Sequence, residues 1–346
     1  MLRRISNSWA ILATILVGFG MGEPAFGVTC TTQSQMIAAQ RTPLEESAKM
    51  LGANVQSGNA AAVQAQTIPA VAAQFNGISG SIQAINTDIR SAAVTVDQLY
   101  LLDASDMKAA GEAQFFCGVS GSPLTVVVTI PNLPPGKYAL AILHATGVEQ
   151  PQQISMVLEN DPAGSSMWKL AGFFTKPMTL SGHDGIWYWR QARDYAAKHD
   201  EWSAWFYYQT AQNLLTPVDF ISSPNLQKLQ HEAESTKPGD LPGIDPMRLN
   251  AGTQNFEITN VHPGEFSKQL DLIVTCNAPP NQNLIQSREE VTAVMRALLQ
   301  QHPGLAQAFH GLWVYAAVPG SNVSPFALEL PIDQIQGSGT AAEPHT

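Results

Sequence analysis

The stretch "LTVVVTIPNLPPGKYALAILHAT", residues 124–146, has two apolar runs on either side of a segment rich in proline and glycine. Both runs have strand length and many β-branched or aliphatic residues, and "PNLPPG" (131–136) contains the residue types of a tight connection. Because consecutive positions are apolar, both faces of the predicted strands must be covered. The stretch therefore predicts a buried β-sheet.

Further strand-like runs on both sides of this stretch bring the number of predicted strands to six between residues 93 and 176. Six closely spaced strands predict an antiparallel sheet. Upstream, residues 42–58 have the apolar spacing of a helix, with Thr42 and Glu45 as a capping box, and an Ala- and Gln-rich segment with several breakers predicts short helices. Helices preceding a sheet that must be covered predict an α+β domain over residues 28–178.

The order of these elements, short helices and then a curved antiparallel sheet that closes with "WKLAGF" (168–173), resembles the NTF2-like, or cystatin-like, group of cone-shaped α+β domains. The resemblance covers residues 35–178 and rests on element order rather than on a diagnostic motif. It implies a fold that commonly encloses a small-molecule pocket. The catalytic Asp and His positions of the enzymes in this group have no assignable counterpart here.

A second stretch, "SGHDGIWYWRQARDYAAKHDEWSAWFYYQT" (residues 181–210), holds nine aromatic residues, among them four of the seven tryptophans. Seven positions have the spacing of the aromatic, small and proline residues of a tetratricopeptide repeat: Tyr188, Ala192, Tyr195, Ala204, Tyr208, Ala211 and Pro217. Residues 185–218 thus resemble one such helical hairpin, with Asp200 as the cap of its second helix. No second copy occurs 34 residues upstream or downstream.

A solitary hairpin cannot bury its apolar face, because such repeats need about three copies to be stable. We therefore expect the hairpin region, 179–234, to pack on a neighbouring domain. Five aromatic residues lie outside the seam between its two helices: Trp187, Trp189, Trp202, Trp205 and Phe206. We interpret them as an interdomain core, and the alternative is an exposed aromatic platform that binds a saccharide or an apolar peptide of a protein partner.

Residues 235–253 are rich in Pro, Gly and Asn and predict a linker. Strand patterns then flank a helix that Ser287 and Glu290 open as a second capping box, which predicts a small α/β domain over 254–336. Residues 337–346 predict a disordered tail. The expected fold class is α+β: N-terminal helices on an antiparallel sheet, a central aromatic-rich hairpin and a small C-terminal α/β domain.

The first 27 residues have the pattern of a secretory signal peptide: Arg3 and Arg4, an apolar run of 13 residues, and the small residues Ala25 and Gly27 before the expected cleavage. As a helix the run spans about 20 Å, which is short for a bilayer core of about 30 Å. No later apolar run reaches spanning length, so no transmembrane segment is expected after signal removal. We expect a periplasmic or secreted protein, and the chain as a whole resembles exported bacterial proteins.

The three cysteines cannot all pair within the chain. Cys117 and Cys276 each lie in phase with apolar residues of a predicted strand, which favours buried free thiols. Export also permits a disulfide between Cys30 and Cys117. Both alternatives are open from the sequence.

Charge and motifs argue against several functions. The chain is acidic, with a net charge of −10, and has no Lys or Arg run longer than two, which argues against nucleic-acid binding. It lacks the short-range motifs of zinc, calcium and phosphate sites and the nucleophile elbow of hydrolases, so neither a metal nor a cofactor is predicted.

Two polar sites remain as candidates. His144 is in phase with Leu140 and Ile142 on one strand face, where a histidine needs a partner or faces a cavity; a satisfied core or edge histidine is the competing interpretation. His183 and Asp184 precede the aromatic hairpin and can pair as base and orienter, or they simply begin a helix.

Two functions fit these observations. The first is an exported, non-catalytic scaffold or binding protein with a protein or saccharide partner, because apolar patterning comes without a convergent set of ionisable residues. The second is a small-ligand-binding protein or an enzyme, with its pocket in the sheet of residues 93–175 and His144 as its polar lining. The sequence favours the first.

Overall fold

The computed structural model describes residues 27–118, 124–160, 167–251, 254–280 and 283–337. The strands are β1 (Thr29–Thr32), β2 (Ala93–Asp103), β3 (Gly111–Gly118), β4 (Thr125–Leu133), β5 (Lys137–Thr146), β6 (Gln152–Asn160), β7 (Trp168–Pro177), β8 (Thr179–Leu180), β9 (His183–Asp184), β10 (Ile221–Ser222), β11 (Met247–Ala251), β12 (Gln254–Phe266), β13 (Gln269–Asn277), β14 (Gly311–Ala317) and β15 (Phe326–Pro331). The helices are α1 (Ala38–Gln56), α2 (Ala60–Ala65), α3 (Pro69–Ala72), α4 (Asn76–Ile89), α5 (Gly185–Ala197), α6 (Glu201–Leu215), α7 (Pro224–Ser235), α8 (Leu284–Gln301), α9 (Leu305–Ala308) and α10 (Ile332–Gly337). The predicted signal peptide and C-terminal tail lie outside the described residues, apart from Gly27 and Gly337.

The N-terminal half is built on a five-stranded sheet in the order β1-β2-β5-β6-β7, antiparallel throughout. Helices α1, α2 and α4 cover one face of it and share a core with every second residue of β5, including Leu143. Gly52 of α1 permits the close approach, since a Cβ there would lie 2.7 Å from Leu143 Cδ2. The expected α+β arrangement, with N-terminal helices packed on an antiparallel sheet, is confirmed.

The other face of this sheet is covered by a second, three-stranded sheet in the order β10-β4-β3. Leu102 and Leu140 from the first sheet pack against Phe115 and Val128 from the second, and all four are fully buried. The prediction that the six strands form one sheet was therefore wrong. The chain leaves the second sheet after β4 and enters the first at β5, whose apolar residues on both faces need two covering layers.

A disulfide joins the two sheets, because Cys30 lies in β1 and Cys117 in β3, with their Cα atoms 5.0 Å apart. Of the two alternatives left open by the sequence, the disulfide is the one present, and the expectation of a free thiol at Cys117 was wrong. Cys276 is free and fully buried. In β13 it faces the C-terminal core, as its phase with neighbouring apolar residues predicted.

Helix α1 begins four residues before the predicted Thr42, so Thr42 and Glu45 do not form a capping box. The extra residues of the first turn donate hydrogen bonds to the Ile37 carbonyl, and Pro43 is accommodated inside the helix. Helices α5 and α6 form the predicted hairpin around a turn at residues 198–200. Asp200 caps α6 by accepting a hydrogen bond from the Ser203 amide at 3.2 Å.

The C-terminal half contains a five-stranded sheet in the order β11-β12-β13-β14-β15. Strands β13 and β14 are parallel and joined through α8, and the other pairs are antiparallel, which agrees with the expected strand, helix, strand order. The predicted capping box at Ser287 and Glu290 was wrong, because Asn283 and Gln286 form it one turn earlier. The predicted linker was wrong for residues 247–251, which pair with β12 as the edge strand β11.

The hairpin shares one continuous hydrophobic core with the C-terminal sheet and α8. Phe206 meets Phe309 edge-on with ring centroids 6.2 Å apart, and the Tyr207 hydroxyl donates a 2.5 Å hydrogen bond to the Ala308 carbonyl. The expectation that the hairpin packs on a neighbouring unit is confirmed, and that unit is the C-terminal sheet. Within the described ranges, no helix combines the length and apolar character needed to cross a bilayer.

Candidate functional site

His144 lies near the end of β5, on the face that β3 and β4 cover further along the strand. Its neighbours on this face, Leu140 and Ile142, are buried under the second sheet, whereas the His144 side chain is 24% exposed. The predicted phase of His144 with these residues is therefore observed. His144 stands where the covering sheet ends, and a cleft begins there.

Asp97 is the charged partner of His144. A β-bulge in β2 creates this contact, because Val96 pairs with Leu143 and Gln98 with Ile142, which leaves Asp97 as the extra residue between them. Its Oδ1 lies 3.8 Å from His144 Nδ1. Bulges re-aim side chains in this way, often next to functional sites. We did not identify Asp97 from the sequence, although an acidic residue inside an apolar strand pattern was the available signal.

The cleft has a volume of about 340 Å³ and lies between the N-terminal sheet and the hairpin. One wall is formed by residues of β2, β4, β5 and β6, and the other by α5, the end of α6, the chain between α6 and α7, and the start of α7. Apolar side chains from both walls line it: Val126, Ile142, Ile186, Leu215, Ile221 and Leu226. The volume and the mainly apolar lining are typical of small-molecule sites. We call it the His144 cleft.

The charged side chains of the His144 cleft, Asp97 and His144, lie together in the sheet, and uncharged polar side chains surround them. Gln153 is the direct cross-strand neighbour of His144 on β6. The Tyr100 hydroxyl donates a 3.3 Å hydrogen bond to Gln98 Oε1, and burial together with the charge of Asp97 raises the pKa of Tyr100. The cleft thus presents one charged pair together with uncharged amide, phenol and hydroxyl groups, those of Ser223 and Asn225 coming from the wall opposite the sheet.

Trp189 connects the cleft to the aromatic stretch. Its indole is half-buried, and its Nε1 donates a 2.7 Å hydrogen bond to Glu232 Oε2. Arg193 binds the same carboxylate through two hydrogen bonds and lies 4.6 Å from the centre of the Trp189 ring. Although burial raises the pKa of Glu232, the hydrogen bonds from Arg193 and Trp189 leave it below its ordinary value. These contacts fix the orientation of the Trp189 indole in the wall of the cleft.

The other predicted aromatic residues lie apart from the cleft. Trp202 is buried, stacks on His302 at 3.9 Å and donates to Asp240, and Phe206 packs beside it. Trp205 is half-buried beneath Lys237. Together with Trp187, these rings pack against the core that the hairpin shares with the C-terminal sheet, as the interpretation of an interdomain core expects, and form no exposed platform among the described residues.

His183 and Asp184 are exposed at the start of α5. The Asp184 carboxylate accepts a 2.8 Å hydrogen bond from the Trp187 amide and caps the helix. The His183 ring stacks on the Trp187 indole at 3.7 Å. Of the two interpretations, the structure shows the helix-start arrangement, and in the described part of the chain no hydrogen bond joins His183 to Asp184.

Four other cavities of the described residues exceed the His144 cleft in volume, and the two smaller ones, of about 420 and 360 Å³, are lined mostly by polar residues. One of about 880 Å³ lies beside β11 and β12 and is lined mainly by amide and charged side chains. Another of about 500 Å³ shares Ile221 and Leu226 with the cleft, but its remaining lining is almost entirely polar. We favour the His144 cleft because apolar walls with few polar groups bind small molecules better than a wet polar groove.

Comparisons with protein-family models, with curated proteins and with solved structures found no match to this chain. No activity, substrate or partner therefore transfers to it from a relative. The resemblances to a tetratricopeptide hairpin and to NTF2-like domains stay predictions.

Proposed function

We propose that this protein is an exported, non-catalytic binding protein that holds a small ligand in the His144 cleft. The observation that supports this function is a cleft of about 340 Å³ with mainly apolar walls, in which Asp97 and His144, 3.8 Å apart, are the acidic and basic side chains among the described residues. Such a site favours a ligand with an apolar body and one polar group.

The polar group of the ligand is a hydrogen-bond donor, and we propose a primary or secondary amine. The Asp97 carboxylate contacts His144 through Oδ1, so its second oxygen is free to accept a hydrogen bond from a ligand. Because the Asp97 side chain is 43% exposed, a cation reaches this oxygen without being fully desolvated. Among the described residues, no Lys or Arg lines the cleft. An ammonium group is therefore favoured over a carboxylate.

Binding without catalysis is supported by the neighbours of His144. No Ser, Thr or Cys of the described residues forms a hydrogen bond with the imidazole, so the arrangement of nucleophile and base needed for covalent catalysis is not formed there. Ser223, the serine that lines the cleft, instead caps α7 by accepting from the Leu226 amide at 3.3 Å.

Export is supported by the disulfide between Cys30 and Cys117, because disulfides persist mainly in oxidising compartments. It agrees with the signal-peptide pattern at the start of the sequence. A small ligand is favoured over a saccharide or protein partner, since the indoles expected to form a platform are half-buried or buried.

Calorimetric titration of the purified chain with matched series of alkyl and arylalkyl amines, alcohols and carboxylic acids tests the proposal. We expect amines to bind more tightly than the alcohols and acids of the same skeleton. Ile186→Trp places a larger side chain in the cleft from a position that is 43% exposed, and should weaken binding at least tenfold. Met50→Trp, on the exposed side of α1, is the matched control and should bind like the wild type.

Asp97→Asn isolates the role of the charge. It should remove the preference for amines while leaving the binding of the matching alcohols within a factor of about three. The proposal is wrong if no compound of the series binds to the folded wild type, or if Ile186→Trp and Met50→Trp bind equally well.

A further inference from the structure

Three side chains with metal-binding atoms meet at one end of the C-terminal sheet. Asp271 lies in β13, His310 immediately precedes β14, and Glu329 lies in β15. Each offers one oxygen or nitrogen atom, and these three atoms lie within 4.8 Å of one another. The parallel pairing of Asp271 with Gly311 and the antiparallel pairing of Trp313 with Glu329 bring the three strands into this register.

The carboxylates of this cluster are incompletely satisfied. Asp271 is fully buried, and its Oδ1 lies 3.2 Å from His310 Nδ1. Its Oδ2 and the Glu329 Oε1 atom are both buried without a hydrogen-bond partner among the described residues. Buried polar atoms are nearly always paired with protein, water or an ion, so two orphaned oxygens in one place indicate a missing partner.

The charges of the cluster do not balance. Two carboxylates face one imidazole, and no Lys or Arg of the described residues forms an ion pair with either carboxylate. Burial raises the pKa of Asp271, and burial together with the negative charge of Asp271 raises the pKa of Glu329. A cation between the oxygens removes this repulsion.

Gly311 keeps the space between the carboxylates open. A Cβ at this position would lie 3.0 Å from Glu329 Oε1 and 3.1 Å from Asp271 Oδ1. Any residue other than glycine would therefore push against both oxygens. The cluster thus combines donor atoms, unbalanced charge and room for an ion.

We propose that Asp271, His310 and Glu329 bind one Zn²⁺ ion. Imidazole nitrogen with carboxylate oxygen is a Zn²⁺ donor set, whereas Ca²⁺ and Mg²⁺ prefer sites made of oxygen alone. Ligands about 2 Å from one ion lie within about 4 Å of each other, so small side-chain rotations close the site. The His310 side chain is 42% exposed, which gives the ion a path from solvent.

Three protein ligands leave the fourth tetrahedral position of the ion open. Trp313 is the direct cross-strand neighbour of Glu329, and its ring lies 4.9 Å from that of Phe266. Water, or an anionic group of a ligand, is the fourth donor. The inference is independent of the His144 cleft, because no residue is shared between the two sites.

Isothermal titration of the chelator-treated full chain with ZnCl₂ tests the site. We expect one equivalent to bind, and Co²⁺ in place of Zn²⁺ to give the visible absorption of a tetrahedral complex without a thiolate band. His310→Gln and Glu329→Gln should each weaken Zn²⁺ binding at least tenfold. His302→Gln is the matched control, since His302 also faces a carboxylate, that of Asp240 at 3.5 Å, but among the described residues belongs to no group of three metal-binding side chains whose donor atoms lie within 4.8 Å of one another.

Melting temperatures with and without Zn²⁺ separate a metal site from a purely structural cluster. Without metal, Glu329→Gln should melt at a higher temperature than the wild type, because one of two repelling carboxylates is gone. With excess Zn²⁺ the wild type should gain stability and the variant should not. The His310→Gln variant provides a second test that does not depend on replacing a buried residue, because the His310 side chain lies at the surface.

The inference is overturned if the folded wild type binds no Zn²⁺ at concentrations up to about 1 mM, well above the concentrations at which Zn²⁺ sites of proteins fill. It is also overturned if His310→Gln and His302→Gln bind Zn²⁺ with the affinity of the wild type. In either case a proton shared between Asp271 and Glu329 accounts for the cluster.

Discussion

The N-terminal and C-terminal halves each contain a five-stranded sheet, but the two sheets differ in how they are covered. In the first, helices lie on one face and the sheet β10-β4-β3 on the other, and six consecutive residues of β5 are buried. In the second, helices cover one face, and residues on the opposite face such as Ile273, Trp313 and Tyr315 are only half-buried. The burial of β14 consequently alternates, whereas that of β5 is continuous.

This difference explains where the two candidate sites lie. The His144 cleft forms at the margin of a double-covered sheet, where the second layer ends and apolar walls remain. The Asp271, His310 and Glu329 cluster forms on the single-covered sheet, where Asp271 is buried and His310 is exposed. In this protein the coverage of each sheet thus separates an apolar candidate site from a polar one.

The largest difference in stability is expected when an apolar side chain is truncated on the face of each sheet that the helices do not cover. Leu140→Ala should lower the free energy of unfolding by about 2–5 kcal/mol, because Leu140 is fully buried between two sheets. Ile273→Ala, on the half-covered face of β13, should cost about 1 kcal/mol or less, within the range of partly exposed sites. Urea unfolding measures both, and equal losses would remove the distinction between the sheets.

The disulfide should stabilise the N-terminal half alone. Replacing both Cys30 and Cys117 with serine should cost about 2–4 kcal/mol, because the bond closes a loop with a sequence separation of 87 residues. Amide hydrogen exchange should accelerate in β1 and β3 and stay unchanged in β13 and β14. Acceleration across both halves would show that they unfold as one unit.

A smaller effect should show that the hairpin belongs to the C-terminal half. Tyr207→Phe removes the buried hydrogen bond to the Ala308 carbonyl and should cost about 1–3 kcal/mol, since the acceptor is left unpaired. Tyr315→Phe, on the open face of β14, should change the free energy of unfolding by less than about 0.5 kcal/mol. A Tyr207→Phe variant as stable as the wild type would contradict the shared core.

The smallest effect is a pH dependence at His302. Burial against Trp202 lowers the pKa of this imidazole, while Asp240 and Asp200 raise it less, and Glu201 and His199 line the same cavity. On acidification His302 is therefore protonated at a higher pH in the unfolded chain than in the folded chain. The contribution of the neutral His302 imidazole to stability is present above a pH of about 6.5 and is lost as the pH falls below it.

Comparing unfolding at a pH of about 7.5 and about 5.5 checks this direction. The wild type should lose more stability on acidification than His302→Gln does. The same loss in both proteins would show that the imidazole does not contribute.

The strands were the most predictable part of the fold. All six strands predicted between residues 93 and 176 are present, as β2 to β7, because each apolar run is bounded by turn-forming residues. Their division between two sheets was not predictable, since strand pairing depends on contacts between distant residues. The cap of α8 was misplaced because Asn283 with Gln286 and Ser287 with Glu290 both fit the capping pattern.

In the candidate sites, too, features set by the local sequence pattern were predictable, and features set by contacts between distant residues were not. His144 was predictable, because its face follows from the two-residue period of β5. Asp97 was missed, because a bulge breaks that period at its position. The site of Asp271, His310 and Glu329 has no short-range motif, and only the register of three strands brings these residues together.

The burial of Cys276 affects which cysteines can pair while the disulfide forms during folding. Burial raises the pKa of this thiol to about 12, so almost none of it is thiolate, the form that attacks disulfides. Once the C-terminal sheet has closed over Cys276, the two mispaired isomers that involve it become inaccessible. Early closure of that sheet therefore leaves Cys30 and Cys117 as each other's sole available reactant among the three cysteines.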